Sequence, residues 1–393
     1  MRNPDFEYVE SSKKESKEQT RKSLTYWKDA WRRLKKNRLA MVGLFGVILI
    51  IMFGVMGPWF SAYSYSDQNN LFSNIPPRIE IYQIDSDSYV YLSSQYNLIL
   101  VSQKGELLDR LTKTNMDVIN KIYTYEFEGE DIEVDYSNRA LEDDGGIDLV
   151  ITYKGVSTDQ PYKTVSNKTY PLGSDNLGRD LLTRVMFGAR ISLTVAFVAT
   201  IVNLLIGVTY GAISGLEGGR IDDVMMRIVD VINSIPLVLY VILLMVIIDN
   251  RGLWTIILTL GTVYWVGMAR LVRGQVLGLK EQEYVLAART IGVSKAKIIS
   301  RHLIPNAMGP IIVSMTMMIP SAVFTESFLS FIGLGISAPQ ASWGTLANDA
   351  LGGLNTYPYQ LFIPALAIAV TMLSFNFLGD GLRSALDPRL RKG

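Results

Sequence analysis

The stretch EYVLAARTIGVSKAKIISRHLIPN, residues 283–306, lies between two apolar runs that are each long enough to cross a bilayer. Its own charges keep it out of lipid. It reads as two short helices, broken at Gly292 and stopped at Pro305. Tyr284, Ala287, Ala288 and Ile291 recur at i, i+3, i+4 and i+7, which makes one narrow apolar stripe. Two of the four are alanine, so the stripe is shallow enough to enter a groove. Glu281 and Glu283 stand at the N-terminal end, where the helix dipole favours a carboxylate. Gly292 suits the left-handed position just past a helix end. Ser294 is placed to cap the following KAKIISRHL, with Lys297 where a full capping box has an acid. Pro305 forbids continuation of that helix. Two uses fit such an element. It is a docking stripe for a cytosolic partner, or a surface helix packed back on its own bundle.

The flanking runs decide the fold class. Of the 393 residues, 49% are hydrophobic, and they gather in nearly uncharged runs of about 20, the length a helix needs to cross the hydrocarbon. The runs fall at 39–60 and at about 191–215, 224–248, 253–271, 307–332 and 361–378. The expected fold is an all-α polytopic membrane protein with six transmembrane helices. A small strand-rich domain is inserted between the first and second. The divisions are a basic segment, 1–38, a first span, 39–61, an insert, 62–170, and a helical core, 171–393, whose loop 281–305 carries the opening stretch.

Charge assigns the sides. The net charge of +1 hides a segregation: the first 38 residues are basic, whereas 62–170 holds roughly twice as many acids as bases. By the positive-inside rule the N-terminus is cytoplasmic and the insert is outside. Alternation then puts the tight DNRG turn and the 334–360 loop outside, and 216–223, 272–306 and the C-terminus inside. The 334–360 loop lacks Lys and Arg, while 272–306 and the tail RSALDPRLRKG are basic. The 38 mostly polar residues before the first run suit a retained span better than a cleaved signal peptide. Among them, Trp27 and Trp31 lie one turn apart. That fits an amphipathic helix at the inner surface or an ordered flank of the span.

In the insert, TYEFEGEDIEVDY alternates on both sides of a glycine turn, with Tyr123, Tyr125 and Phe127 sharing a face of one strand and Ile132, Val134 and Tyr136 sharing a face of the other strand. YVYLSSQYNLILVSQKGEL and IDLVITYKGV supply further strands, and MDVINKI is the one expected helix. The insert is either a spacer or a docking domain.

Several chemistries are excluded. With no cysteine there is no disulfide or thiolate site, and a lone His302 builds no metal cluster. The sequence has no G-x-S-x-G elbow and no H-E-x-x-H. A secondary transporter would carry an internal repeat, and none is visible. The secondary transporter and a membrane sensor reading ligands through 62–170 remain the alternative classes. No nucleic-acid partner is expected.

The opening stretch resembles the EAA loop of bacterial ABC-importer permeases, through Glu283, Ala287, Ala288, Gly292, Ile304 and Pro305. Tyr284, Val285 and Leu286 interrupt the name-giving Glu-Ala-Ala run, a variant usual in the peptide branch. Four more segments are similar to oligopeptide and dipeptide permease C-type subunits, in family order. They are PLGSDNLGRDLLTRVMFGARISL from Pro171, GGRIDDVMMRIVDVINSIP at 218–236, FTESFLSFIGLGISAPQASWGTLANDA from Phe324, and LGDGLRSALDPRLR at 378–391. The likeness covers 39–60 and 171–393, and many relatives have a much shorter link in place of 62–170.

The resemblance implies a type I importer permease fold in the bacterial cell membrane. It implies a non-enzymatic pore subunit whose partners are a second homologous permease, two cytoplasmic ATPases, an extracytoplasmic substrate-binding protein and the bilayer. The cargo it implies is an oligopeptide or dipeptide, with a nickel chelate as the alternative. The chain holds no cofactor. It has no G-x-x-x-x-G-K-[ST] loop, so ATP and magnesium belong on the ATPases. Glu283, Ala287, Ala288, Gly292 and Pro305 are then the coupling residues.

Glu326 and Pro236 are pore or gate candidates. An intramembrane acid is expensive and faces a cavity or a partner. Glu326 therefore lines the pore, reaches the outer interface, or pairs with Arg190. Pro236 is expected to kink the third span. Gly333 and Gly335 end the fifth. Trp343 is expected at the outer interface or against the binding protein. Asn167-Lys168-Thr169 matches a glycosylation sequon, a pattern that arises often by chance.

Overall fold

The computed structural model describes residues 26–137, 149–248 and 252–386. The DNRG turn (except its glycine), the start of the basic N-terminal segment and the end of the basic C-terminal tail lie outside the described residues.

Helix α1 (Tyr26–Lys36) buries Ala30 and Leu34 and exposes Trp27 and Trp31. Asn37 breaks the chain there, and its side chain caps α2 (Arg38–Phe60) by accepting from the Ala40 amide at 3.2 Å. The strand-rich unit follows. Strands β1 (Arg78–Gln83), β2 (Tyr89–Leu92), β3 (Leu98–Val101), β4 (Leu107–Arg110) and β10 (Lys163–Ser166) form one antiparallel sheet in the order β10-β1-β2-β3-β4. Strands β5 (Thr112–Asp117), β6 (Ile122–Phe127), β7 (Glu130–Asp135), β8 (Val150–Tyr153) and β9 (Val156–Thr158) form a second, in sequence order. All four residues of β2 are buried because the first sheet is covered on both faces. Val90 and Leu92 pack with Tyr125, Ile132 and Ile151 of the second sheet. Tyr89 and Tyr91 pack with Phe72, Ile75 and Tyr170 on the other side. Burial, with Tyr63 and Asp180 nearby, pushes the Tyr170 phenol up to about 12, so it stays protonated.

The expected hairpin is present, with Tyr123 opposite Val134 and Tyr125 opposite Ile132. The expected helix MDVINKI is not. Asp117 Oδ1 accepts from the amides of Ile119 at 3.1 Å and Asn120 at 2.9 Å, closing a turn between β5 and β6. Such side-chain bonds compete with helix formation. The buried Asn167 of the sequon holds the Tyr170 amide at 2.8 Å.

The helical part comprises α3 (Leu181–Glu217), α4 (Gly219–Ser234), α5 (Leu237–Ile248), α6 (Leu253–Val263), α7 (Trp265–Leu279), α8 (Glu283–Thr290), α9 (Lys295–Ile298), α10 (Ile304–Leu329), α11 (Trp343–Asp349) and α12 (Pro358–Leu386). Among the described residues, five helical stretches are long and apolar enough to cross a membrane: α2, α3, α6 with α7, Lys295–Leu334, and α12. A sixth run, α4 with α5, passes only as a pair bent by 88°. The break falls at Ile235-Pro236, where proline removes a donor and pushes its predecessor into extended backbone. Thus Pro236 does more than kink a span. It separates two helices.

At about 1.5 Å per residue, the 37 residues of α3 reach about 55 Å, well beyond a 30 Å hydrocarbon core. Along α3, Gly207, Gly211 and Gly215 recur every fourth residue and face α7. A Cβ on Gly211 would overlap the Ala269 carbonyl, and one on Gly215 would come within 2.9 Å of Val276. These small residues let the two backbones touch. The strand-rich unit is tied to the last helix by Gln360, whose amide donates to Asn74 Oδ1 at 2.9 Å and Ser174 O at 3.0 Å.

Candidate functional site

Helix α8 lies between the end of α7 and the start of the Lys295–Leu334 stretch. Its first turn carries Glu283 at the positive end of the dipole. It ends in a Schellman motif: the Val293 amide donates to Ala288 O at 3.0 Å and the Gly292 amide to Arg289 O at 3.0 Å. Gly292 has φ +77°, as the motif requires.

The expected stripe is split by packing. Val285 and Ala288 are buried against Val276, Ile298 and Leu303, while Tyr284, Ala287 and Ile291 are exposed, Ile291 at 79%. Ala288 therefore anchors α8, and Glu283, Tyr284, Ala287 and Ile291 are left bare. Periodicity missed Val285 as an anchor because its burial is set by Val276, Ile298 and Leu303, which lie outside the helix.

Ser294 occupies the N-cap position of α9, but its side chain makes no capping bond. Pro305 does not stop the helix. A π-turn, Ile299–Leu303, joins α9 to α10, and Pro305 falls in the first turn of α10, where its missing N–H costs little. Asn306 Nδ2 donates to the His302 carbonyl at 2.6 Å. The second expected short helix is thus the lower end of the following span.

Glu326 is fully buried and does not meet Arg190. Its carboxyl accepts from Ser192 Oγ at 2.8 Å and Ser330 Oγ at 2.8 Å, joining α3 to the end of α10. Arg190 is used elsewhere. Pro58 has no N–H to offer the Gly54 carbonyl, and Arg190 Nε donates to that oxygen at 3.3 Å and its Nη2 to Val55 O at 3.0 Å. Trp343 is 1% exposed, not at an interface, and its Nε1 donates to Val185 O at 3.0 Å.

One cluster escaped the sequence reading. Asp222, at the start of α4, accepts from Arg273 Nε at 2.6 Å and Nη2 at 2.6 Å, and from Ser214 of α3. The partners are 51 residues apart, and only the i, i+4 glycines of α3 signalled that its end and α7 are neighbours.

Residues 207–392 match the family described as binding-protein-dependent transport system inner membrane component. Residues 25–77 match the N-terminal TM domain of oligopeptide transport permease C. The oligopeptide transport system permease protein OppC of Bacillus subtilis is 39% identical over 98% of this chain and 97% of that protein. The dipeptide transport system permease protein DppC of the same organism is 41% identical over 95% of this chain and 88% of that protein. OppC of Escherichia coli (strain K12) is 45% identical over 56% of this chain and 72% of that protein. Near-full-length identity at this level makes this chain, a multi-pass membrane protein, a member of the family of inner-membrane permease components of binding-protein-dependent ABC importers.

Proposed function

We propose that this chain forms half of the translocation pathway of an ATP-driven importer of oligopeptides or dipeptides in the bacterial cell membrane. A second, homologous permease completes the pathway. Two cytoplasmic ATPases carrying ATP and magnesium drive it, and an extracytoplasmic binding protein delivers cargo. The names of the similar proteins support peptide cargo. Counting the bent α4–α5 pair as one span gives six crossings, with both termini cytoplasmic and 62–170 outside, in keeping with the charge asymmetry. In this reading 62–170 is a separate outer domain and 171–393 the permease core.

The observation that carries the proposal is the two-sided packing of α8. One face is sunk in the bundle through Val285 and Ala288, and the other presents Glu283, Tyr284, Ala287 and Ile291, all exposed among the described residues. In a chain without a phosphate-binding loop, energy arrives through a contact, and α8 is shaped to receive it. ATPase closure pushes α8, and α8 moves the spans it is packed against. Pro305 starts the span that follows. The break at Pro236 gives the motion a hinge, and buried Glu326 is a brace between spans, not a lining residue.

The test uses the assembled transporter. Ala287→Asp puts a charge on the bare face without disturbing the buried one. Peptide uptake and binding-protein-stimulated ATPase activity are expected to fall together by tenfold or more. Normal values for both in an assembled complex would sink the reading.

A further inference from the structure

We infer that Asp222 and Arg273 are positioning residues that make α3, α4, α7 and α8 move as one lever. The inference rests on the reading of α8 as the ATPase contact and goes on to say how its motion reaches the spans.

The Asp222 carboxyl is 8% exposed and ties three helices at once. Arg273 of α7 grips it with two nitrogens at 2.6 Å, and Ser214 of α3 donates to the same carboxyl. A forked, charge-assisted pair fixes orientation as well as distance, which a single lysine contact does not. The bonds around it point the same way. Lys280, three residues before α8, donates to Gly215 O at 3.1 Å, and Lys295, just after it, reaches Glu217 at 2.6 Å. Both flanks of α8 are therefore held to the last turn of α3. Above them, Gly207, Gly211 and Gly215 set α3 directly against α7. The rigid group ends at the 88° break before Pro236.

Exposed ion pairs such as Lys295–Glu217 contribute little. The fork is different, because Arg273 is partly exposed but the Asp222 carboxyl is buried, and removing Arg273 leaves that carboxylate without its charge partner. Without it, α4 is held to α7 only by the packing of Val229 on Trp265, Val266 and Ala269 and by the exposed Arg270–Asp230 pair. A push on α8 then dissipates at the joint and does not turn the outer spans.

Two measurements on the complete transporter test this. The first is peptide transported per ATP hydrolysed, normalised to assembled complex. Arg273→Met is expected to lower that ratio by about tenfold while leaving most ATPase activity. Arg273→Lys, which keeps the charge but not the fork, should fall between. The second uses the absence of cysteine in this chain. Spin labels at Arg289→Cys on α8 and Arg227→Cys on α4, both exposed, report the distance between the two helices. Arg273→Met should broaden that distribution, and Arg273→Lys should narrow it again. An unchanged distribution overturns the lever. An altered distribution with an unchanged transport ratio overturns instead the role of α8 as the driven element, and with it the positioning role of the pair in transport. If Arg273→Met prevents assembly, the same reading is taken on Arg273→Lys, where an unchanged ratio and distribution would also sink it.

Discussion

Gly292 has φ +77° and open space where a Cβ would stand. A side chain there meets no clash, only the conformational penalty of the left-handed region, roughly 1–2 kcal/mol for most residues and less for asparagine. Gly292→Asn should therefore keep uptake near the parental value. Gly292→Val, β-branched, should lower it several-fold as α8 loses its Schellman end, measured as uptake per assembled complex. Equal uptake by both variants would show that the turn does not set the pose of α8. Glu326 makes a second case. Glu326→Gln keeps one acceptor oxygen and offers the other serine an NH2 donor that its hydroxyl oxygen can accept, whereas Glu326→Leu leaves both hydroxyl donors without this partner, at about 1–3 kcal/mol each. Only the leucine variant should reduce the amount of assembled protein in membranes. The acid's presence in an apolar run was legible. Its serine partner, 134 residues away, was not, because hydroxyl partners leave no charge pattern in a sequence.

Elements with a strong local period were the most readable. The β6–β7 hairpin follows from strict alternation and from Glu128-Gly129, whose φ values of 54° and 80° belong to a two-residue hairpin turn. Gly129→Ala should cost about 1 kcal/mol through backbone strain alone, since nothing lies within 4 Å. Hydrogen exchange in the full-length protein should quicken across 122–135 and stay unchanged in α3. A uniform change would mean that the hairpin does not open on its own. MDVINKI misled because a helical composition was overridden by the Asp117 turn. Pro305 misled for another reason: proline breaks the middle of a helix but is welcome in a first turn, and the sequence does not announce the π-turn ahead of it.

At the scale of the whole molecule, hydropathy found the membrane-spanning runs because lipid demands long apolar helices. It under-measured α3 and α12, which run past the expected 191–215 and 361–378 at both ends. It also joined α4 to α5, since apolar content is blind to a bend. The site was half legible. The position of α8 between spans, its glycine stop and its acidic start were in the sequence. Which of its residues point inward was not, because that depends on Ile298, Leu303 and the α7 residues meeting Val285 and Ala288. In the proposed importer α8 is a two-faced connector, anchored on one side and engaged by another subunit on the other.

The most direct test of that claim again exploits the cysteine-free chain. A single thiol is placed at Ala287→Cys or, as a buried control, at Val285→Cys, in membranes containing the ATPase subunits, followed by a short bifunctional crosslinker. A permease–ATPase adduct is expected from position 287, little from 285, with a change in yield when ATP is added. An equal yield from both positions, or none from 287 in a transporter that still imports peptide, would contradict it.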